Sequence, residues 1–398
     1  MTLPTLFDAD HLRSQWRLRP DTLYLNHGSF GPPPLPVVEA QRQWKTRLDE
    51  QPMDFFVRQY TPAWFEARRR LAAFVHADPD DLVFVENATA AVNIVADCFP
   101  LASGDEVLLT NHEYGAVMRT LQRSCARTGA APPRVVDLPL PFESADQVVD
   151  AIFAAVTPRT RLLVVSHITS PTAVILPVAE ICRRARREGV AVCVDGPHAP
   201  AQVDIDLAAL DCDFYAASLH KWLSAPFGSG FLYVAPKHQS SIRPAVQSWG
   251  RLQPETPTTW FDEFIWSGTC DPSPYLSVPT AIDFLESVGV AAFRRHCHEL
   301  AQYARHRLVE LTGLTPIVPD SPEWYGAMAH VPLPPGDARS LQVHLWEAHR
   351  IEVPIVNWNN ARYIRVSCHL YNTREQIDKL VAALSNSGRD RLYSSRSA

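Results

Sequence analysis

The sequence predicts an α/β fold: a large domain on a mostly parallel seven-stranded sheet, followed by a smaller α+β domain. Three observations predict it. Seven short apolar runs alternate with helical patterns between residues 81 and 235. Polar residues cluster just beyond several of those runs. After about residue 275 the alternation gives way to helical stretches and isolated strands. Continuous apolar strands separated by helices imply a parallel sheet covered on both faces. Ligands in such folds sit beyond the carboxyl ends of the strands.

In order, DLVFVE (81–86) reads as a strand and ATAAVNIVADCF as the helix after it. EVLLT (106–110) and YGAVMRTLQRSCART repeat the pair, as do RVVDL (134–138) with SADQVVDAIFAAV and RLLVVS (161–166) with VAEICRRARREG. VAVCVD (190–195), DFYAAS (213–218) and GFLYVA (230–235) are further strands. The later part is read as helices over 276–287 and 290–311, a strand near 327–332, a helix over 338–349, a strand over 362–367 and a helix over 373–385. The expected division is an N-terminal segment (1–29) packing on the small domain and the site entrance, a large domain (30–275), a small domain (276–385) and a polar tail (386–398). Proline-rich stretches such as GPPPLP (31–36) read as loops.

Composition narrows the class. The 398 residues are 46% hydrophobic and 20% charged, as in an ordinary soluble protein. A net charge of −6 argues against nucleic acid as a partner. No apolar run nears the roughly 20 residues of a membrane helix. MTLPTLFDADHLRSQW carries acids and lacks an apolar signal core, so a cytoplasmic location is expected. Eight cysteines are spread singly, without a CxxC pair, and read as reduced thiols. His296-Cys297-His298 point to different helix faces and are not expected to hold a metal.

Lysine carries the sharpest signal. Of 37 basic residues only Lys45, Lys221, Lys237 and Lys379 are lysines, and Lys221 lies between two apolar strands. An inward ammonium is costly unless paired or neutralised, and an amine so placed is suited to covalent chemistry. Asp195, at another strand end, can keep a cofactor's ring nitrogen protonated; pyridoxal phosphate (PLP) is the cofactor that uses such a pair. Glu86-Asn87-Ala88-Thr89-Ala90 opens a helix after a strand, where free amides and the helix dipole favour an anion such as a phosphate. Ser218 and His220 flank the lysine and could close round that phosphate. Tyr114 opens a helix where an aromatic ring can cover a flat cofactor. His198 follows Asp195 at a Gly-Pro turn. Arg365 ends an apolar strand, where a guanidinium wants an anion. Asn26, His27 and Ser29 precede a Gly-Pro turn and are placed at the entrance. Arg58 in FFVRQY is placed at a distal acidic group of the substrate.

The segments SLHKW-x3-P-x-G-x-G-FLYV, VDGPHAPAQ and IRVSCHLYNT together resemble the class V aminotransferases of the fold-type I PLP enzymes. The branch named for isopenicillin N epimerase is similar in YLNHGSFG (24–31), NHEYGA (111–116), SHITSPT (166–172) and DGPHAP (195–200). The resemblance spans about residues 22–385. It implies that Lys221 forms the Schiff base with PLP and Asp195 pairs with the pyridine nitrogen. It places His198 at the cofactor's 3-oxygen and Tyr114 on the ring face. Ala88 and Thr89, with Ser218 and His220, hold the phosphate, and Ser170 lines the cofactor. Gly268-Thr269 reaches the phosphate across a homodimer interface. Arg365 grips the α-carboxylate of an amino-acid substrate, with Asn26, His27 and Arg58 as further substrate contacts.

The resemblance implies an enzyme acting at Cα, with an epimerase or racemase of the isopenicillin N type placed first. A Cβ–S lyase on a cysteine derivative, of the cysteine desulfhydrase or cysteine-sulfoxide lyase type, is the alternative. Aminotransfer and a non-catalytic PLP-fold binding protein rank below. Persulfide transfer is demoted because RIEVPIVNWNNARYIR (350–365) contains no cysteine and Cys368 lies past Arg365.

Overall fold

The fold was analysed in a computed structural model, which describes residues 9–249 and 258–386. The expected polar tail beyond Asn386 and the first eight residues of the N-terminal segment lie outside the described residues. Two long helices, α1 (Leu35–Glu50) and α2 (Tyr60–Phe74), precede the sheet and were not anticipated. The helix α1 starts inside the proline run read as a loop. Pro36 falls in its first turn, where a missing N–H costs no hydrogen bond.

The large sheet holds the seven expected strands: β1 (Leu82–Val85), β2 (Glu106–Thr110), β3 (Arg134–Val136), β4 (Thr160–Ser166), β5 (Ala191–Asp195), β6 (Phe214–Ser218) and β7 (Gly230–Val234). Their spatial order is β1-β7-β6-β5-β4-β2-β3. β7 runs antiparallel to both neighbours, and the other pairings are parallel. Every residue of β1, β2, β6 and β7 is buried, which explains why those runs are continuous rather than alternating. The helices α3 (Ala88–Cys98), α4 (Gly115–Thr128), α5 (Ala145–Phe153) and α6 (Val178–Glu188) follow strands as read, each within a residue or a few of its expected bounds.

The C-terminal part carries α7 (Val278–Val288), α8 (Val290–Thr312), β8 (Met328–Leu333), α9 (Ala338–His349), β9 (Ile355–Trp358), β10 (Ala361–Ser367) and α10 (Arg374–Asn386). β9, β10 and β8 form an antiparallel sheet in that order. The hairpin partner β9 was not read from the sequence. Its four residues are mixed in burial, and Asn359 and Asn360 turn the chain at φ 47° and 58°. The early chain is stitched to this region: Leu23–Tyr24 pairs in parallel with Ile351–Glu352, and Ser367 N–H donates to the Leu25 carbonyl at 2.9 Å. Among the described residues no single helix is long and apolar enough to cross a membrane.

Candidate active site

The carboxyl ends of the strands converge as expected. Between β1 and α3, Asn87 is extended and its side chain accepts from the Ala90 N–H at 2.9 Å, a cap that typically contributes about 1 kcal/mol. Ser218, at the end of β6, accepts from the Ala88 N–H at 2.9 Å. The first helical turn is thereby locked to the lysine-bearing segment. Gly230 permits that approach: a Cβ there would lie 2.6 Å from the Ala217 carbonyl oxygen and 2.8 Å from Asn87 Cα. The Thr89 side chain is exposed to the space in front of the helix.

Asp195 ends β5, buried, and no described residue donates a hydrogen bond to its carboxylate. Burial raises its pKa to about 6, partly offset by Lys221. Lys221 Nζ lies 3.0 Å from His198 Nε2. Burial, reinforced by the Arg365 charge, lowers the lysine pKa to about 7, against a smaller opposing pull from Asp195. A substantial share of the amine is therefore uncharged near neutral pH. Burial also holds His198 neutral and brings His220 down to about 4. His220 Nδ1 is buried without a hydrogen-bond partner.

The opposite wall comes from the two ends of the chain. Arg365, on β10, is buried, and no acid pairs with it among the described residues. It donates to the Ser170 carbonyl and, at 2.9 Å, to Ser29 Oγ. Its Nε is buried and unpartnered, and burial lowers its pKa to about 10. A guanidinium with neutral partners and an idle N–H is a receptor for an incoming carboxylate.

These walls enclose a cavity of about 430 Å³. Ala88, Thr89, Ser218 and His220 line one end. Tyr114, Asp195, His198, Lys221, Ser170 and Arg365 line the cavity as well. The set fits a phosphate-bearing aldehyde with a ring nitrogen. The unpartnered His220 Nδ1 and the α3 N-terminus suit the phosphate, the undonated Asp195 carboxylate suits the ring nitrogen, and an amine of lowered pKa suits the aldehyde. No cysteine lines the cavity, and Cys368 is buried beyond Arg365 with its thiol pKa raised by burial.

Other expected residues are not brought to this cavity. Asn26 is buried and donates to Glu352 at 3.1 Å. His27 stands behind the lysine: Nε2 is 2.9 Å from the Lys221 carbonyl oxygen, Nδ1 is 2.8 Å from Tyr371 Oη, and its ring stacks on His369 at 3.9 Å. Neither lines the entrance, because both are spent on joining the early chain to the small sheet and to the lysine segment. Arg58 is exposed and pairs with Asp54 one helical turn away. Gly268 lines a separate apolar depression with Tyr60 and Trp266, and Thr269 is exposed.

Three neighbours of the site were missed. Phe30 lines the cavity 63% exposed; its signal is its place after Ser29 in NHGSFG. Glu113 accepts from Thr110 Oγ1 at 2.7 Å and Ser166 Oγ at 2.6 Å beside β5, with its pKa raised by burial to about 7. Trp222 Nε1 donates to His198 Nδ1 at 3.4 Å. Gly31 was read only as part of a turn. A Cβ there would lie 2.4 Å from the Lys221 carbonyl oxygen, so only glycine lets the early chain press on the lysine loop.

Comparison with known proteins identifies the family. Residues 32–380 match the family described as Aminotransferase class-V. The chain is 42% identical to an isopenicillin N epimerase of Amycolatopsis lactamdurans, over 94% of this chain and 96% of that protein. It is 32% identical to a putative L-cysteine desulfhydrase of Oryza sativa subsp. japonica, over 94% and 84%. Among solved structures it superposes with a TM-score of 0.82 on the cystine C–S lyase C-DES in complex with its reaction product cysteine persulfide. That protein is 25% identical, with 92% of this chain and 98% of the other covered.

Proposed function

The chain belongs to the class V aminotransferase family, a PLP-dependent enzyme of fold type I, and from that premise we propose that it cleaves the Cβ–S bond of a cysteine-derived amino acid. The observation that carries the reading is the pair lining one cavity: Lys221, its amine pKa lowered to about 7, and Arg365, with which no acid among the described residues pairs. Arg365 binds the α-carboxylate in a two-pronged contact and so fixes Cα relative to the lysine. PLP, when bound, supplies the electron sink that acidifies Cα and lets a β-substituent depart. Lys221 would hold the aldehyde, and its amine is the group placed to accept the Cα proton. Asp195, its proton affinity raised, keeps the ring nitrogen protonated. His198, Tyr114 and Ser170 would hold the ring, and Ala88, Thr89, Ser218 and His220 would hold the phosphate.

β-Elimination needs one base, and among the described residues Lys221 is the only amine lining the cavity. The elimination breaks Cα–H and Cβ–S, the sulfur leaves with the bond pair, and water then releases pyruvate and ammonia. The cysteine desulfhydrases and the C–S lyase among the relatives support this reading over the epimerisation placed first on sequence. Epimerisation is kept as the second reading because relatives at 42% and 40% identity bear that name. Incubation with L-cysteine and L-cystine in deuterated water separates the two. Pyruvate, ammonia and a sulfur fragment support elimination. Deuterium at Cα in both enantiomers, without pyruvate, overturns it in favour of the epimerase.

The proposal includes a homodimer, a division into large (30–275) and small (276–385) domains, and a phosphate site shared between subunits. Gly268, Thr269 and Arg58, which do not reach their own cavity, would then serve the neighbour's. Sedimentation of the holoenzyme as a monomer would count against that arrangement.

A further inference from the structure

His198 has two ring nitrogens, and the structure gives each a partner. Nδ1 faces the Trp222 indole N–H at 3.4 Å, and Nε2 faces Lys221 Nζ at 3.0 Å. An indole nitrogen only donates. Nδ1 must therefore be the bare, accepting nitrogen. A neutral imidazole with a bare Nδ1 carries its proton on Nε2. That proton points at the lysine, so the amine must be the acceptor, and an ammonium has no lone pair to offer.

We propose that Trp222 is a positioning residue that fixes His198 in its Nε2-protonated tautomer and, through that N–H, favours the uncharged amine of Lys221. His198 and Trp222 are both buried, so neither contact is traded for water. The other charged or titratable groups facing His198, Lys221 and Trp222 include Asp195 from β5, Arg365 from β10, His220 beside the lysine, and the His27 and His369 rings packed on the indole. Asp195 pulls towards the ammonium, and Arg365 pushes against it. Burial of the imidazole, with Lys221 and Arg365 beside it, disfavours the doubly protonated ring that would dissolve the argument. The same Nε2–H is a donor ready for an anionic oxygen. The bearing on catalysis rests on Lys221 being the cofactor lysine; the tautomer does not.

The first measurement reads the native protein. In full-length chain freed of cofactor and labelled with 15N-histidine, the His198 ring, assigned by its loss in His198→Gln, should show a bare Nδ1 and a protonated Nε2. A protonated Nδ1 overturns the proposal. The second reads the lysine. Competitive acetylation against pH, followed by mass spectrometry of the Lys221 peptide, should place the amine pKa about one pH unit higher in Trp222→Phe than in the native chain. In the His198→Gln background the same tryptophan change should add nothing, because the imidazole that transmits it is gone. An equal shift in both backgrounds would show a packing effect and overturn the proposal. Borohydride fixation of the holoenzyme's cofactor on the Lys221 peptide supports the catalytic bearing. Fixation on another lysine removes that bearing while the tautomer result stands.

Discussion

Lys221 and Arg365 look into one cavity, yet they are held in opposite ways. Lys221 hangs between β6 and β7, two neighbouring strands of a buried sheet, in a loop closed by the Leu219 N–H on the Ser229 carbonyl at 2.9 Å. Asp195, Ser218 and Thr89 sit on the same sheet edge. Arg365 takes its hold from Ser29, 336 positions away, and from Ser170, 195 positions away. The lysine wall is a local product of the sheet, whereas the arginine wall exists only where three distant segments meet. The first gathers groups that any chemistry at Cα requires. The second determines what is presented to them.

The largest test of that contrast is Lys221→Ala. It should reduce turnover by about 10³-fold or more while leaving the fold intact, checked by circular dichroism and steady-state kinetics. Asp195→Ala should follow, with turnover down on the order of 100-fold and some cofactor retained, read from the visible absorbance. Arg365→Lys belongs to the other wall. It should raise KM on the order of tenfold and leave cofactor affinity nearly unchanged, because a point charge cannot reproduce a two-pronged contact. An equal loss of cofactor and substrate binding would mean the walls are not separable.

The smallest effect is one of pH. In the folded chain Lys221 titrates at about 7, below its ordinary 10.5, so between those values the unfolded chain holds the extra proton and stability rises with pH. Asp195 titrates at about 6, above its ordinary 3.8, so between those values the folded chain holds the extra proton and stability falls with pH. Melting curves of the cofactor-free protein should lose the upper slope in Lys221→Met and the lower slope in Asp195→Asn. Arg365→Lys should leave the Asp195 slope in place.

The same contrast explains what the sequence disclosed. The strands of the large sheet could be read because most are buried on both faces and therefore continuous; β3, where only Val136 is buried, was legible from its β-branched pair and its place in the alternation. The residues after them could be read because strand ends are where such folds place ligands. Arg365 was legible as a charge ending an apolar strand. His27 was legible only as a polar residue near a turn, and its partners lie 194 and 344 positions away. Nothing in NHGSFG says that the histidine braces the lysine backbone while Ser29 and Phe30 face the cavity. The role of Trp222 was hidden because HKW reads as one local motif, although its indole answers to His198 on another loop. The strand β9 was missed because a four-residue edge strand ending in two left-handed asparagines carries no clear period.

The bond from Arg365 to Ser29 also has a meaning in time. The seven strands that seat Asp195, Ser218 and Lys221 lie within residues 82–234. A ribosome has therefore delivered that whole edge while Arg365 is still unmade, and the guanidinium's partner Ser29 was made before the first of those strands. The site's two walls are born at different moments, and a segment made before the sheet and one made after it must find each other before the guanidinium is seated.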